Sequence, residues 1–293
     1  MKYSLWPQND RRPAVLLEEA TRAEADGWHG LWLADHYMPD TGTTQTASGD
    51  VYECWGLLPA IAAVTERIRL GTLVSPTSVH HPAILAKRAA TIDQLSGGRF
   101  VLGMGAGWQL NEHAAYGIEL ESPGPRVTRF EEAIQIVRSL LAEERTTFRG
   151  RVYDVVDAPC EPKPVRGRLP ILVGTKSPRM LRITARHADE WNTWGAPDLA
   201  GERRTLLLEA CEKVGRDPAT MWCSVNVMLA VGGESKPIRV VGGSVEELVD
   251  LVGRYAELGF DELNLPDWNL GSDPAERRDR LAQLKTEVLD RVG

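Results

Sequence analysis

The chain has 293 residues, and its 34 Lys and Arg against 41 Asp and Glu give a formal net charge of −7. This mildly acidic balance argues against a nucleic-acid binder, which needs a basic face, and against electrostatic attraction to anionic membranes. No stretch approaches the roughly 20 apolar residues of a membrane span, and the first residues lack the apolar core of a signal peptide. The four cysteines lie far apart, which indicates neither a zinc site nor a disulfide framework. We therefore expect a cytoplasmic enzyme or small-molecule binder.

Strand-like and helix-like segments alternate along the first half of the chain. Continuous apolar runs are typical of strands buried on both faces, and an apolar side that recurs every three or four residues is typical of a helix. In chain order the pattern predicts strand Lys2–Trp6, helix Val15–Ala25, strand Gly30–Ala34, helix Cys54–Thr65, strand Ile68–Val74, helix Pro82–Leu95, strand Arg99–Gly105 and a helix from about Thr128 to Ala142. The polar segment Asp40–Asp50 predicts a mobile loop after the second strand.

The alternation is interrupted after the fourth of these helices. Thr146–Val156 predicts a short hairpin around Gly150, and a proline-rich connector follows from Pro159 to Pro164. We expect this insertion to lie over one end of the fold. The alternation then resumes with strand Pro170–Val173, helix Pro178–Ala188, strand Asp189–Asn192, helix Asp198–Val214, strand Met221–Ala230, helix Val245–Leu258, strand Asp261–Leu265 and helix Pro274–Val292.

Counted in this way, the chain contains about eight strand–helix units. This is the count that closes a parallel sheet into a barrel rather than leaving it open. We therefore predict an α/β fold, a (β/α)8 TIM barrel with an insertion after the fourth unit, formed by residues 1–293 as a single domain. An open, doubly wound sheet is the alternative.

A glycine-rich run follows the fourth predicted strand. The active site of a barrel lies at the carboxyl ends of its strands, which is where Gly103, Gly105 and Gly107 stand. Trp108 breaks the G-x-G-x-x-G spacing of a dinucleotide site. We expect these glycines to let a flat ring or a backbone approach the strand end closely. Tight packing at a corner of the barrel is the alternative.

The turn after the fifth strand predicts an anion site. The segment Gly174–Ser177 (GTKS) lies directly before Pro178, and proline is common at the first position of a helix. Free amides at a helix amino terminus suit a phosphate, and Lys176 adds a full positive charge beside them. Simple capping of the helix by Ser177 is the alternative.

Asp35 and His36 follow the second predicted strand. Histidine exchanges a proton near neutral pH, and the adjacent carboxylate offers a way to orient it. The alternative is that Asp35 caps a loop and His36 only fills space. His80 and His81 do not predict a metal site, because adjacent side chains on an extended chain point apart and no third ligand stands at a regular spacing.

Nine tryptophans are many for a chain of this length. Those that fall in or just after predicted strands include Trp6, Trp32, Trp108, Trp191 and Trp268. Some of these indoles must belong to the core, and those at strand ends are expected to wall a pocket for a flat, apolar substrate.

Four motifs occur together and in one order: TERIRLGT, HPAILAK, DQLSGGR and GMGAGW. Through them the chain resembles the bacterial luciferase-like superfamily of flavin and deazaflavin oxidoreductases over most of its length. The resemblance implies the barrel already counted, with a cofactor, FMN or coenzyme F420, whose ring stacks against the end of the third strand. It also implies a non-prolyl cis peptide bond at about Leu73–Val74.

The family's cofactor contacts correspond to individual positions of this chain. The residues that the resemblance implies are Asp35, His36, Leu73, Val74, Ala106, Gly107, Asn111, Gly174, Thr175, Lys176 and Ser177. The family's usual glycine-rich phosphate loop is altered here by Thr175 and Lys176, and the lysine brings a compensating charge.

Of the two cofactors the resemblance favours coenzyme F420, through the Asp-His-Tyr and Gly-Ala-Gly-Trp elements. We predict an oxidoreductase that moves a hydride between this deazaflavin and a small organic substrate. His36 is the predicted proton donor or acceptor, Asp35 is predicted to orient it, and Glu112 is a second acid. Trp108 stands where the family's glucose-6-phosphate dehydrogenases have a glutamate, so we do not expect sugar-phosphate oxidation.

Two other functions stay open. One is an FMN-dependent monooxygenase that takes reduced flavin from a separate reductase, and the other is a non-catalytic binder or storage protein that has kept the barrel and lost the cofactor. Related barrels often pair, so the resemblance also implies a homodimer.

Overall fold

The structure is a computed structural model that describes residues 1–233 and 240–292. Its barrel strands are β1 Lys2–Trp6, β2 Gly30–Leu33, β3 Arg69–Thr72, β4 Phe100–Gly105, β5 Ile171–Gly174, β6 Glu190–Trp194, β7 Trp222–Asn226 and β8 Glu262–Pro266. Its helices are α1 Pro13–Ala25, α2 Cys54–Val64, α3 Pro82–Leu95, α4 Leu110–Tyr116, α5 Pro123–Ala142, α6 Pro178–His187, α7 Pro197–Lys213, α8 Val245–Glu257 and α9 Pro274–Gln283.

The parallel strands form a closed barrel. Around it they run β3, β2, β1, β8, β7, β6, β5, β4, and β3 pairs back to β4 through Leu70 with Phe100 and Gly71 with Val101. An open sheet would leave a row of unpaired backbone groups on each edge strand, whereas each of these strands has a neighbour on both sides. The predicted TIM barrel is therefore confirmed, and the doubly wound alternative is wrong.

Alternate residues of each strand face the surrounding helices and the barrel interior. Outward residues such as Leu31 and Leu33 pack with the apolar helix faces into the main core. Near the amino ends of the strands the interior is charged, because Arg69 bridges the buried carboxylates of Glu190 and Glu262. A second, smaller apolar cluster lies toward the carboxyl ends.

Most of the helices begin at a proline, whose fixed φ suits the first turn and whose missing N–H has no partner there in any case. This explains one boundary that the apolar stripe misplaces. Helix α5 begins at Pro123 rather than about Thr128, because its first turn (PGPR) carries the start signal but no apolar side.

Additional strands lie outside the barrel. The hairpin predicted around Gly150 pairs Thr146–Arg149 with Asp154–Ala158, between α5 and β5. Tyr153 Oη in its loop donates to the Thr77 carbonyl at 3.3 Å, just beyond β3, so this loop reaches the carboxyl end of the barrel. The strand predicted over Met221–Ala230 is instead divided: β7 ends at Asn226, and Met228–Val231 pairs with Val240–Gly243.

Two helical segments differ from the sequence prediction. The short helix α4 was not predicted, and it ends at Gly117 in the left-handed region with φ of 67°. The last helix was predicted to reach Val292, but α9 ends at Gln283 and continues as a π turn and a 3-10 turn. Within the described part of the chain, no helix combines the length and the apolar content needed to cross a bilayer.

Candidate active site

The backbone departs from regular strand geometry at the end of β3. The Leu73–Val74 peptide bond is cis, at the place that the resemblance implies, and Ser75 and Pro76 then pair with β4. Leu73 is buried and Val74 is half-buried. An apolar side chain that solvent can reach therefore stands at the mouth of the barrel.

Glycines on the neighbouring strands make room for this bulge. A Cβ atom on Gly103 would lie 1.9 Å from the Thr72 carbonyl oxygen, and one on Gly105 would lie 2.7 Å from Val74 Cγ2. Gly174 of β5 faces the same valine, with 3.3 Å from its Cβ position to Cγ1. The expectation that a backbone approaches the glycines is confirmed at Gly103, whereas side chains face Gly105 and Gly107, as the packing alternative describes.

The chain then turns from β4 into α4. Ala106 and Gly107 are half-buried, and Gly107 has φ of 93°, a conformation that favours glycine. Asn111 is fully buried: its Nδ2 donates to the Pro39 carbonyl at 2.8 Å, and its Oδ1 accepts from Gln109 Nε2 at 2.9 Å. Asn111 therefore ties the loop after β2 to α4, and its contact with a cofactor stays a prediction.

His36 and Glu112 form a hydrogen-bonded pair at this end of the barrel. Nδ1 of His36 lies 3.0 Å from Oε1 of Glu112, whose Oε2 accepts the Tyr37 amide at 2.9 Å. The side chains are 23% and 2% exposed, respectively. Because a carboxylate can only accept, Nδ1 carries the hydrogen, and Nε2 has no hydrogen-bond partner among the described residues. The Trp108 ring packs edge-on to the imidazole at 5.3 Å.

The prediction that Asp35 orients His36 is wrong. Asp35 Oδ2 instead accepts hydrogen bonds from Trp55 Nε1 at 2.8 Å, Ser75 Oγ at 2.6 Å and His80 Nε2 at 2.8 Å. Adjacent side chains on an extended chain point to opposite sides, so Asp35 turns into the protein while His36 faces out. Burial alone would raise the pKa of this carboxyl, but the hydrogen bond and the charge of His80, with the other two hydrogen bonds, hold it below its ordinary value.

A cluster around Asp35 has metal-ligand residue types but other roles. Ligand atoms of Asp35, Glu53 and Cys54 lie within 4.8 Å of one another. Glu53 accepts two amides of the first turn of α2, and burial raises the pKa of the Cys54 thiol well above its ordinary value. Hydrogen bonds engage both oxygens of Glu53 and Oδ2 of Asp35, whereas Asp35 Oδ1 has no partner among the described residues. His80 and His81 do point apart, since His81 caps α3.

The turn after β5 leaves a helix terminus open. Ser177 occupies the N-cap position of α6 but makes no capping hydrogen bond through its side chain, so the capping alternative is wrong. The Thr175 carbonyl accepts from Trp191 Nε1 at 2.9 Å, which anchors the turn to β6. In the described part of the chain, Lys176 has neither an ion-pair nor a hydrogen-bond partner. The first-turn amides and this exposed lysine fit an anion.

The tryptophans divide between core and mouth. Trp191 is fully buried against the helices, where it stacks on Phe260 at 6.3 Å, and Trp32 is fully buried inside the barrel. Trp6 and Trp268 stand at the carboxyl end, as predicted. Trp194 joins them there. The sequence pattern does not predict this, because it ends β6 at Asn192, two residues before the observed end of the strand.

Known proteins resemble this chain in sequence and in fold. A family model described as luciferase-like monooxygenase matches residues 3–236. The F420-dependent glucose-6-phosphate dehydrogenase of Kineococcus radiotolerans is 28% identical over 281 residues, which cover 90% of this chain and 81% of that protein. An uncharacterised protein of Mycobacterium tuberculosis is 32% identical over 298 residues, 96% of this chain and 98% of its own.

Among solved structures, an F420-dependent secondary alcohol dehydrogenase in complex with an F420-acetone adduct superposes with a TM-score of 0.85. The identity is 21%, and the match covers 100% of this chain and 99% of that one. At this identity the likeness establishes a common fold.

Proposed function

This chain belongs to the luciferase-like monooxygenase family, and we propose that it is an oxidoreductase that moves a hydride between coenzyme F420 and a small organic substrate. The relatives named as F420-dependent dehydrogenases support this choice of cofactor. The observation that carries the proposal is the combination, on neighbouring strands, of an apolar bulge, an open helix terminus and a histidine held by a buried carboxylate.

The residues at the mouth of the barrel fit a cofactor with a flat ring and a phosphate. Val74 offers apolar surface for the ring, and Gly174 lies directly beside it on β5. Two residues further along the chain, Lys176 and the first-turn amides of α6 offer a positive site for a phosphate. One molecule can therefore be held at both ends across β3, β4 and β5.

Coenzyme F420, when bound, supplies or accepts a hydride and reacts poorly with oxygen. The protein's part is to manage the proton. For an alcohol substrate, the hydride leaves the carbon and the hydroxyl proton passes to Nε2 of His36, which gives the carbonyl product. Glu112 accepts the hydrogen bond from Nδ1 and so stabilises the imidazolium that forms. In the reverse direction the imidazolium donates its proton to the carbonyl oxygen.

Titration of the purified protein with coenzyme F420 and, separately, with FMN tests this proposal. We expect saturable quenching of the deazaflavin fluorescence and no saturable binding of FMN. If FMN binds and coenzyme F420 does not, the chain is a flavin-dependent monooxygenase. If neither binds, the chain is not a redox enzyme of this kind.

The homodimer, the cytoplasmic location and the single domain remain predictions. Light scattering coupled to size-exclusion chromatography tests the first: twice the mass of 32.4 kDa is expected, and the monomer mass would contradict it.

A further inference from the structure

Three indoles stand together where the barrel opens. The ring centres of Trp6 and Trp268 lie 4.9 Å apart, those of Trp6 and Trp194 lie 5.6 Å apart, and those of Trp194 and Trp268 lie 6.1 Å apart. We call Trp6, Trp194 and Trp268 the tryptophan wall. Trp6 is buried at 6% exposure, whereas the other two are half-buried.

The tryptophan wall belongs to an apolar cluster separate from the main core. This cluster has five buried members: Trp6, Trp32, Leu73, Val101 and Leu172. Its partly exposed members are Ala34, Val74, Trp194 and Trp268. The surface that solvent reaches here is therefore apolar, and it includes the bulge assigned above to the cofactor ring.

The order of the strands sets the tryptophan wall opposite the cofactor residues. The residues assigned to the cofactor and to proton transfer follow β2, β3, β4 and β5, which form one arc of the barrel. Trp6 ends β1, Trp194 ends β6, and Trp268 follows β8, all on the other arc. A substrate that lies between the two arcs has the ring site on one side and indole faces on the other.

Two arginines beside the tryptophan wall are already neutralised by carboxylates. Arg11 bonds Glu19 at 2.8 Å and Asp267 at 2.5 Å. Arg277 bonds the same Glu19 at 2.8 Å and lies 3.8 Å from the same Asp267. Two arginines thus share two carboxylates directly before Trp268, so this side of the mouth presents no free cation from that group. Arg11 and Arg277 therefore offer no free charge to an anionic substrate.

We propose that the substrate is a flat, uncharged ketone or secondary alcohol with an apolar ring, which the tryptophan wall binds by ring stacking. This inference rests on the proposed function, because it assigns a substrate class to the same site. Aromatic faces at this spacing favour stacked or edge-on aromatic partners beyond simple area burial. Trp6 Nε1 is a buried donor with no partner among the described residues, and it suits a single oxygen atom of such a substrate.

The proposal separates this chain from relatives named for glucose 6-phosphate. A sugar phosphate carries many hydroxyl groups and a double negative charge, and the cluster of Trp194, Trp268 and Val74 offers neither hydrogen bonds in number nor positive charge. The exposed lysine at the start of α6 belongs to the arc assigned to the cofactor.

Calorimetric titration of the protein saturated with coenzyme F420 tests this inference without measuring turnover. The probes are acetophenone, cyclohexyl methyl ketone and glucose 6-phosphate. We expect acetophenone to bind, the non-planar ketone to bind more weakly, and glucose 6-phosphate to give no binding heat. Trp194→Ala and Trp268→Ala should each weaken acetophenone binding about tenfold.

Two further variants serve as controls for the loss of an indole and for the loss of an aromatic ring. Trp222→Ala removes a half-buried indole at the amino end of the barrel and should leave acetophenone binding unchanged. Trp268→Phe keeps a ring and should retain affinity within about threefold of the unaltered protein. An unchanged Kd for coenzyme F420 establishes that each variant is folded.

Two results would overturn the substrate class while leaving the proposed function intact. One is binding of coenzyme F420 with tighter binding of glucose 6-phosphate than of acetophenone. The other concerns protein that holds the cofactor: either acetophenone does not bind, or Trp268→Ala and Trp222→Ala bind it with equal affinity. Failure to bind coenzyme F420 at all would overturn the proposed function itself.

Discussion

The proposed proton transfer depends on which nitrogen of one imidazole is free. Glu112 is buried, and its two oxygens accept from His36 Nδ1 and from the Tyr37 amide. This arrangement fixes the tautomer of His36 and leaves Nε2 without a hydrogen bond to the described residues, so that it is the nitrogen proposed to exchange the proton. The carboxylate that carries this role comes from α4, on the far side of β3 from the histidine.

We expect His36→Ala to lower kcat by about 100-fold or more, the usual size of a lost acid–base step. The Kd for coenzyme F420 should change far less, since Nε2 meets the reacting atoms rather than the phosphate. Steady-state kinetics and a fluorescence titration measure the two effects. His81→Ala, at the exposed cap of α3, is the control and should alter neither. Equal losses in kcat and in cofactor affinity would contradict the assignment.

Asp35→Asn should lower the free energy of unfolding by about 1–3 kcal/mol. The amide NH2 group that replaces one carboxylate oxygen cannot accept the hydrogen bonds that are donated to Asp35. Chemical denaturation near neutral pH measures it, with exposed Asp50→Asn as control. The folded pKa of Asp35 is lowered, so its contribution is complete above its unfolded pKa of 3.8 and is lost as pH falls through the folded value. A stability difference that grows in acid would contradict this sign.

At the scale of residues, the sequence identifies the candidates better than their partners. His36 and Glu112 both follow strand ends, and that rule selects them. The sequence suggests His36, its chain neighbour, as the partner of Asp35, but the side chains that bond it come from α2, the bulge and the loop before α3: Trp55, Ser75 and His80. No spacing connects these segments, because only closure of the barrel brings them together.

Among the elements, α6 has the most specific proposed role. Its amino terminus is not capped by a side chain, and its preceding lysine has no partner among the described residues. The helix dipole and the lysine charge then act on one anion. Helices α1, α4, α5 and α7 also begin without a side-chain cap, so the exposed lysine is what sets the start of α6 apart as a candidate phosphate site.

Lys176→Ala should weaken binding of coenzyme F420 about tenfold, since it removes a charged partner of the phosphate. The loss should shrink as ionic strength rises, because salt screens an exposed charge. Fluorescence titrations at low and high salt measure both effects. Lys213→Ala is the matched control, an exposed lysine on α7 that lies 3.4 Å from Glu209. Equal weakening by the two variants would show that the effect is not local.

At the scale of elements, the sequence predicts existence and order well, and boundaries less well. Apolar periodicity locates most of the helices and all of the barrel strands. It misses α4, because a helix of seven residues whose buried side chains are polar shows no apolar period. It also ends β6 too early, which hides Trp194, since the adjacent polar residues Asn192 and Thr193 break the apolar run.

For the whole molecule, the charged interior is the main departure from a simple apolar barrel. Arg69 contacts both Glu190 and Glu262, so one cation serves two buried carboxylates. Burial raises the pKa of Glu190 to about 7, and the charge of Glu262 adds to this, although Arg69 opposes it. Glu190 therefore takes up a proton in the folded state at a pH where the unfolded chain has lost it.

The stability that Glu190 contributes should fall as pH rises from about 5 to about 8, because the folded state binds the extra proton only in this range. The free energy of unfolding of the unaltered protein, compared with Glu190→Gln, should decline across this window. Denaturation at several pH values measures the difference. A difference that stays flat, or that rises with pH, would contradict the raised pKa.

The closure of the whole barrel follows from counting strand–helix units, since eight is the number that closes a parallel sheet. The polar filling of its interior does not follow from that count. The outward residues of the strands are mostly apolar and dominate the sequence pattern. That pattern therefore does not distinguish a strand whose inward residues are apolar from one with an inward polar residue such as Ser4 or Asn264. The hairpin at the carboxyl end was predicted from its turn, but its contact with Thr77 depends on the assembled fold.

The central claim is that a deazaflavin ring lies on the Val74 bulge with its phosphate at the start of α6. A crystal structure of the protein with bound coenzyme F420 tests it most directly. We predict density for the ring against Val74, a phosphate oxygen within hydrogen-bond distance of the α6 amides, and His36 Nε2 facing the reacting edge of the ring. Density for the ring elsewhere on the protein, or a phosphate far from Lys176, would contradict the account.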